Sequence, residues 1–234
     1  MKNDAWSLFS HFVKRLPASF NRSMRLLILA LVAAAAVPVA GQQKDPRLFP
    51  PSELGILEGP DRDEWQQPDR VMDALGIADG SSVADLGAGG GWFTTRLAFR
   101  VGPNGVVYAE DIQREMIESI RRRVDREGLR NVRTILGSPD DPNLPAGLQA
   151  VLIVDSYTQF QDPVSLLRNT GKALAPNGRL GIVDFKRDGS GGPGPALEER
   201  ISPEAIEADA QKAGLRLYGH ETFLRYQYLL VFTR

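Results

Sequence analysis

From Ser82 onward the chain alternates short β-rich apolar runs with amphipathic stretches, and this rhythm restricts the fold more than any other property of the sequence. Val83-Ala84-Asp85-Leu86, Val106-Val107-Tyr108-Ala109, Val132 to Leu136, Val151 to Val154 and Leu180 to Val183 read as five strands. Helices fit between them: Trp92 to Arg100, then Ile112 to Arg126 with Met116, Ile120 and Val124 on one face. A third runs from about Val164 to Leu174, where Pro176-Asn177-Gly178 stops it. Strands apolar on both faces and joined by helices form a parallel, doubly wound α/β sheet. Crossover handedness then puts a ligand site at the carboxyl ends of the strands. Near the end the rhythm breaks. Ser202-Pro203 starts a helix that Gly214 closes, and Arg216 to Thr222 and Tyr226 to Thr233 follow as strands only about three residues apart. A parallel crossover needs roughly a dozen residues, so these two strands pair antiparallel. The expected sheet is seven-stranded, mostly parallel, with a C-terminal antiparallel hairpin.

The first strand runs into Asp85-Leu86-Gly87-Ala88-Gly89-Gly90-Gly91-Trp92. Glycines at 87, 89 and 91 let the backbone turn tightly and approach a ligand without interference from a Cβ. The following helix offers its unpaired N–H groups to that ligand. A dinucleotide fingerprint would have its third glycine where Trp92 stands, and Asp85 is unwelcome beside a pyrophosphate. A nicotinamide-dependent oxidoreductase is therefore the weaker reading, and a cationic ligand fits better. Glu110-Asp111 ends the second strand about twenty residues beyond the loop, where a carboxylate can accept both hydroxyls of a ribose. Past the third strand, Asp140 in Gly137-Ser138-Pro139-Asp140-Asp141-Pro142 either accepts from the exocyclic amine of a base or serves ordinary turn chemistry.

The chain has 234 residues, 28 basic against 29 acidic, and no cysteine, which excludes disulfides, thiolate zinc sites and a cysteine nucleophile. A net charge of -1 gives no reason to expect nucleic acid as a partner. Met24-Arg25, the apolar run Leu26 to Val37 and the small residues of Pro38-Val39-Ala40-Gly41 have the pattern of a secretory signal, with Met24 as the expected natural start. The run is shorter than the roughly 18–20 residues of a spanning helix. The expected division is an extension and signal over 1–41, a linker or lid segment over 42–64 and the main domain over 65–234. Basic residues before the apolar run orient the domain outward, so it is expected to be secreted or periplasmic. Membrane contact is expected only if that segment stays uncleaved.

Taken together, these motifs resemble the class I S-adenosylmethionine-dependent methyltransferases, closest to the small-molecule branch of ubiquinone and menaquinone biosynthesis. The resemblance spans about Trp65 to Phe232 and rests on the residue 83–91 and 107–112 motifs, on Asp140 before Leu144-Pro145, and on Leu174-Ala175-Pro176-Asn177-Gly178-Arg179-Leu180. It implies a Rossmann-like fold, S-adenosylmethionine as cofactor and a small-molecule methyl acceptor. Asp85, Gly87, Gly89 and Gly91 would hold the methionine moiety, Asp111 the ribose and Asp140 the adenine, with Ala88 and Ile112 completing the cofactor contacts. Gly90 stands where the family has Thr or Ser, and Asn177 where it has a turn Gly, a place in which Asn still reaches the left-handed region. A domain that binds this cofactor in the cell envelope without transfer is the non-enzymatic alternative.

Methyl transfer from a sulfonium is an in-line displacement in which positioning supplies much of the acceleration. Asp155-Ser156-Tyr157 ends the fourth strand beside the expected methyl group, and Asp155 or Tyr157 is the local candidate for a base. Asp184 ends the fifth strand, but Phe185 follows where another oxygen ligand for Mg²⁺ would be needed, so no metal is expected. Arg62-Asp63-Glu64-Trp65-Gln66 and Tyr226-Gln227-Tyr228 are further candidates to shape the pocket, and His220 is expected to pack. The segment Asp188 to Pro195 reads as too glycine-rich to pack, either a lid or an idle linker.

Overall fold

The computed structural model describes residues 47–189 and 191–234. The expected signal segment, with Met24 and Gly41, lies outside them. Seven strands form one sheet among the described residues: β1 (Ser82–Leu86), β2 (Val106–Asp111), β3 (Val132–Leu136), β4 (Leu148–Val154), β5 (Leu174–Phe185), β6 (Arg216–Glu221) and β7 (Gln227–Thr233). Their order across the sheet is β3-β2-β1-β4-β5-β7-β6. The first five run parallel, and β7 enters antiparallel between β5 and β6, as the short link before it requires. The described α-helices are α1 (Arg62–Gln66), α2 (Pro68–Ala74), α3 (Trp92–Val101), α4 (Arg114–Glu127), α5 (Pro163–Ala173) and α6 (Pro203–Lys212).

Local chemistry explains the boundaries. Asp162 caps α5 by accepting from Ser165 N–H at 3.0 Å, with Pro163 in the first helical position. Ser202 and Pro203 do the same for α6. Gly128, at φ 68°, closes α4 in the left-handed conformation. Both faces of the sheet are covered, because successive strand residues point to opposite sides. Ala84 and Leu86 pack with Leu166, Leu167 and Ile206 of α5 and α6, whereas Val83 packs with Met72 and Leu97 of α2 and α3.

One boundary departs from the sequence reading. The Ala175-Pro176-Asn177-Gly178 turn is absorbed into the start of β5 as an irregularity, with Leu174 opposite Leu148 and Arg179 opposite Ala150. Asn177 does not adopt the left-handed conformation. The tight fit is at Gly178, where a Cβ would sit 2.6 Å from the Leu148 carbonyl oxygen.

Leu152 is wholly buried on β4 and Leu217 is 46% exposed on the edge strand β6. Leu152→Ala should cost about 2–5 kcal/mol of stability and Leu217→Ala within about 0.5 kcal/mol, read as shifts in the urea midpoint. Equal losses would contradict this placement of the core.

Candidate functional site

β1 delivers the chain into a left-handed turn. Gly87, Gly89 and Gly91 have φ of 69°, 55° and 81°, a region closed to most side chains. The loop is fastened to the end of β2: Gly87 N–H donates to Glu110 Oε2 at 3.2 Å, Ala88 N–H to the Glu110 carbonyl at 2.8 Å, and Gly89 N–H to Asp111 Oδ2 at 3.0 Å. The other Asp111 oxygen accepts from Gln113 N–H at 2.9 Å. Asp85 accepts from the Thr94 hydroxyl at 2.6 Å. Burial pushes the carboxyls of Asp85 and Asp111 up to about 6. Burial and the neighbouring Asp111 charge push Glu110 up to about 8.

These groups floor a cleft at the carboxyl ends of the strands. Asp85, Gly87, Ala88, Gly89, Asp111 and Ile112 all line it, as the sequence led us to expect. Gly91 does not. It turns toward α4, where a Cβ would meet Ile120 at 3.3 Å, and so shapes the loop from behind. Asp140 is also absent from the cleft wall: it is exposed, its carboxylate accepts from the Ser138 hydroxyl at 3.0 Å, and its carbonyl from the Asn169 amide at 2.8 Å. Its side chain takes part in turn hydrogen bonding, and Ser138 and Pro139 line the cleft beside it. Across from them, the buried hydroxyl of Ser156 has no hydrogen-bond partner among the described residues, and it crowds Gly87 so closely that a Cβ there would lie 2.6 Å away.

The roof comes from the segment before α1. Its 3₁₀ turn, Pro51–Leu57, puts Leu54 against the loop, and a Cβ on Gly90 would lie 3.2 Å from both Leu54 and Glu58. A Thr or Ser at 90 would press on this cover, which accounts for the glycine there. Phe49 N–H donates to Gln159 Oε1 at 2.9 Å, and its carbonyl accepts from Gln113 Nε2 at 3.1 Å, so the roof is tied to both walls. Glu58 pairs with Arg123 of α4.

At the end of β4, Asp155 lines the cleft in a left-handed conformation, φ 56°, uncommon for a residue with a side chain. One carboxylate oxygen accepts from Gln227 Nε2 at 2.5 Å and the other from Gln66 Nε2 at 3.2 Å, with Arg62 Nη2 at 3.6 Å. Gln66 Nε2 also donates to Gln227 Oε1 at 3.0 Å. The two clusters singled out in the sequence, 62–66 and 226–228, therefore converge on Asp155, although its glutamine partners carried no signal beyond their position beside apolar runs. Burial pushes Asp155 up to about 6 against the opposing pull of Arg62 and the two amides.

Tyr157 is not brought to the cleft. It is buried in the core on the α6 side, where its hydroxyl meets Asp209 at 3.3 Å, and burial beside that carboxylate raises the phenol far above its ordinary value. The chain has left β4 by this point, and a 3₁₀ turn at Tyr157–Gln159 carries the ring away from the cleft. Asp184 is buried, one oxygen accepting from Phe185 N–H at 2.8 Å and the other without a partner, and burial lifts it to about 7. No group of three or more acids or histidines converges as a metal site among the described residues. His220 is exposed on the edge strand, its ring 6.1 Å from that of Tyr228. The glycine-rich segment is exposed, yet two of its glycines run close against aromatic rings. Gly192 and Gly194 lie flat against Tyr226 and Phe185, where a Cβ would come within 2.5 and 2.7 Å of the rings. Trp92, in the place of a third dinucleotide glycine, is clasped between the guanidinium groups of Arg62 and Arg96, 4.2 and 3.4 Å from its ring.

A profile describing a methyltransferase domain matches residues 77–232. Nocamycin O-methyltransferase of Saccharothrix syringae is 30% identical over 159 residues, 64% of this chain and 57% of that protein. A ubiquinone/menaquinone biosynthesis C-methyltransferase of Pasteurella multocida is 30% identical over 129 residues, 50% of this chain and 44% of that one. The chain thus spans about half the length of these curated relatives. Among solved structures, a SAM-dependent methyltransferase from Aquifex aeolicus superposes with a TM-score of 0.75 at 27% identity, over 79% of this chain and 98% of that one. With the glycine loop, the strand-end acids and the sheet order all in agreement, the chain belongs to the methyltransferase-domain family, as a member of the class I, S-adenosylmethionine-dependent type.

Proposed function

We propose that the protein transfers a methyl group from S-adenosylmethionine to a small-molecule acceptor. The observation that carries this reading is the cleft floor, where the left-handed glycine loop leaves room for close approach and Asp85 and Asp111 supply buried negative charge. These residues fit the cofactor: its cationic groups suit the acids, and the partnerless Ser156 hydroxyl offers a polar contact in the same cleft. Asp111 takes the ribose hydroxyls and Asp85 faces the methionine moiety. When bound, the cofactor supplies an electrophilic methyl carbon on a sulfonium. The chain contributes orientation, exclusion of water by the Leu54 and Phe49 roof, and Asp155 as the base facing the acceptor, aimed by Gln66 and Gln227.

Calorimetric titration with S-adenosylmethionine, S-adenosylhomocysteine and NAD tests the cofactor class; binding of NAD alone would sink the reading. Asp111→Ala should weaken binding of both sulfur nucleosides by about 1.5–3 kcal/mol, and an unchanged affinity would remove the ribose assignment.

The raised carboxyls give this binding a pH dependence of definite sign. Asp85 and Asp111 titrate near 6, above the ordinary value of about 3.9. In the ligand-free protein, folding therefore takes up protons, and the stability these groups contribute is greatest below about pH 4 and is lost as pH rises through about 6. A sulfonium favours their ionised forms, so its binding releases protons. Between about pH 5 and 7.5 the affinity for S-adenosylmethionine should rise relative to that for the homocysteine compound, whose sulfur is neutral. A constant ratio across that range would contradict the placement of the cation beside these acids.

Once an acceptor with a transferable proton is found by screening, kcat should fall as pH drops below about 6, the value to which Asp155 is raised. Asp155→Asn should abolish that ionisation and lower kcat by roughly 100-fold or more. A variant that keeps the wild-type profile would show that Asp155 is not the base.

A further inference from the structure

Charge along the cleft is uneven. Of the described charged residues that line it, five are acids, Glu58, Asp85, Glu110, Asp111 and Asp155, and one is a cation, Arg62. S-adenosylmethionine carries an ammonium, a sulfonium and one carboxylate. The acids account for the first two. A carboxylate entering the same cleft without a cationic partner would meet repulsion from the ionised acids among them.

We propose that Arg62 receives the carboxylate of the cofactor, which makes helix α1 part of the cofactor site. The inference rests on the cofactor assignment above and adds a residue that lies outside the glycine loop and the strand-end acids. Arg62 is built as a binding group. It is 8% exposed, and its guanidinium is stacked 4.2 Å from the centroid of Trp92, the first residue after the glycine loop. Its Nε donates to Gln66 Oε1 at 2.5 Å, and Gln66 is in turn held by Gln227 and Asp155. The next residue, Asp63, anchors α1 to α3 through a two-pronged contact with Arg96 at 2.7 and 2.6 Å. The planar fork is thus fixed at the loop end of the cleft, close enough to Asp85 for their charges to interact. A guanidinium has five donors and matches a carboxylate in two-pronged fashion, so one group can serve several acceptors together. Arg62 and Asp85 thus give one cleft a buried cation and a buried acid, suited to the two ends of an amino acid.

The test compares S-adenosylmethionine with its decarboxylated form, which keeps the ammonium and the sulfonium. The acid-rich lining by itself favours the decarboxylated compound, which carries one more net positive charge. Wild-type protein should nevertheless bind S-adenosylmethionine about 10- to 100-fold more tightly in calorimetry, the range of a charge-assisted hydrogen bond. Arg62→Met should lose about that factor for S-adenosylmethionine while its affinity for the decarboxylated compound changes less than about threefold. Unpairing Asp155 affects both ligands alike and cancels in the ratio. Affinities within about threefold in wild-type protein would overturn the proposal, as would discrimination that survives in Arg62→Met. The wild-type comparison needs no variant, so a poorly folded mutant does not shield the idea, and Arg62→Gln provides a second probe. If neither compound binds wild-type protein, the cofactor reading itself falls, and this inference with it.

Discussion

The cleft depends on how the glycine loop spends its backbone amides. Three consecutive N–H groups, those of Gly87, Ala88 and Gly89, are given to Glu110 and Asp111 on the neighbouring strand. The loop is therefore held by parallel pairing between β1 and β2, which sets Leu86 opposite Glu110. Glu110 reaches further: at Gly137, after β3, any Cβ would overlap its carboxyl oxygen. One buried carboxyl thus spaces the loops after β1 and β3. A hydrophobic residue at 110 would fill the same volume but leave the Gly87 amide without an acceptor, at a cost of about 1–3 kcal/mol for a buried unsatisfied donor.

Much of this was legible because it is local. Hydrophobic runs located the seven strands of the described sheet, and the short link between the last two, five residues in the structure, sufficed to reverse their direction. Ser202-Pro203 and Gly214 mark helix ends by chemistry that acts within one turn. The acids at 85 and 111 could be placed because a strand end next to a glycine loop has one address in a doubly wound sheet. The misreadings are also physical. Asp140 lies in a run of turn-forming residues and is exposed outside the cleft lining, its carboxylate accepting from Ser138. Tyr157 lies two residues beyond a cleft-facing acid, yet the chain has left the strand by then and the ring is carried into the opposite core.

The acceptor side was legible as two candidate clusters, 62–66 and 226–228, but not as one network, since its contacts cross most of the chain. Gln66 and Gln227 are 161 residues apart and meet only because β7 is inserted beside β5 and α1 lies across the strand ends. Neither glutamine by itself points to Asp155 as its partner. Together they satisfy one another and hold a carboxylate whose backbone is in an uncommon conformation. Each partner is buried, so the network has to be complete to be favourable; a half-made version would leave polar atoms without water or protein to bond. The packing of Gly192 and Gly194 follows the same rule in apolar form. Glycine there reads as looseness in the sequence but is required by the flat faces of Tyr226 and Phe185.

The roof ties these levels together. Residues 48–58 belong to no strand of the sheet, yet Leu48, Phe49 and Leu54 cover the cleft and exclude water from its floor. Burial is the largest cause of the raised carboxyls at 85, 110 and 111. Part of that burial is supplied by this cover, so the preference of the floor for a cation is a joint property of the sheet and the segment lying over it. Without the roof, the same acids would face solvent, their charges would be screened, and the glycine loop would lose the low-dielectric surroundings that distinguish a sulfonium from a neutral sulfur. Gly90 connects the two, because its missing side chain lets Leu54 and Glu58 close down on the loop.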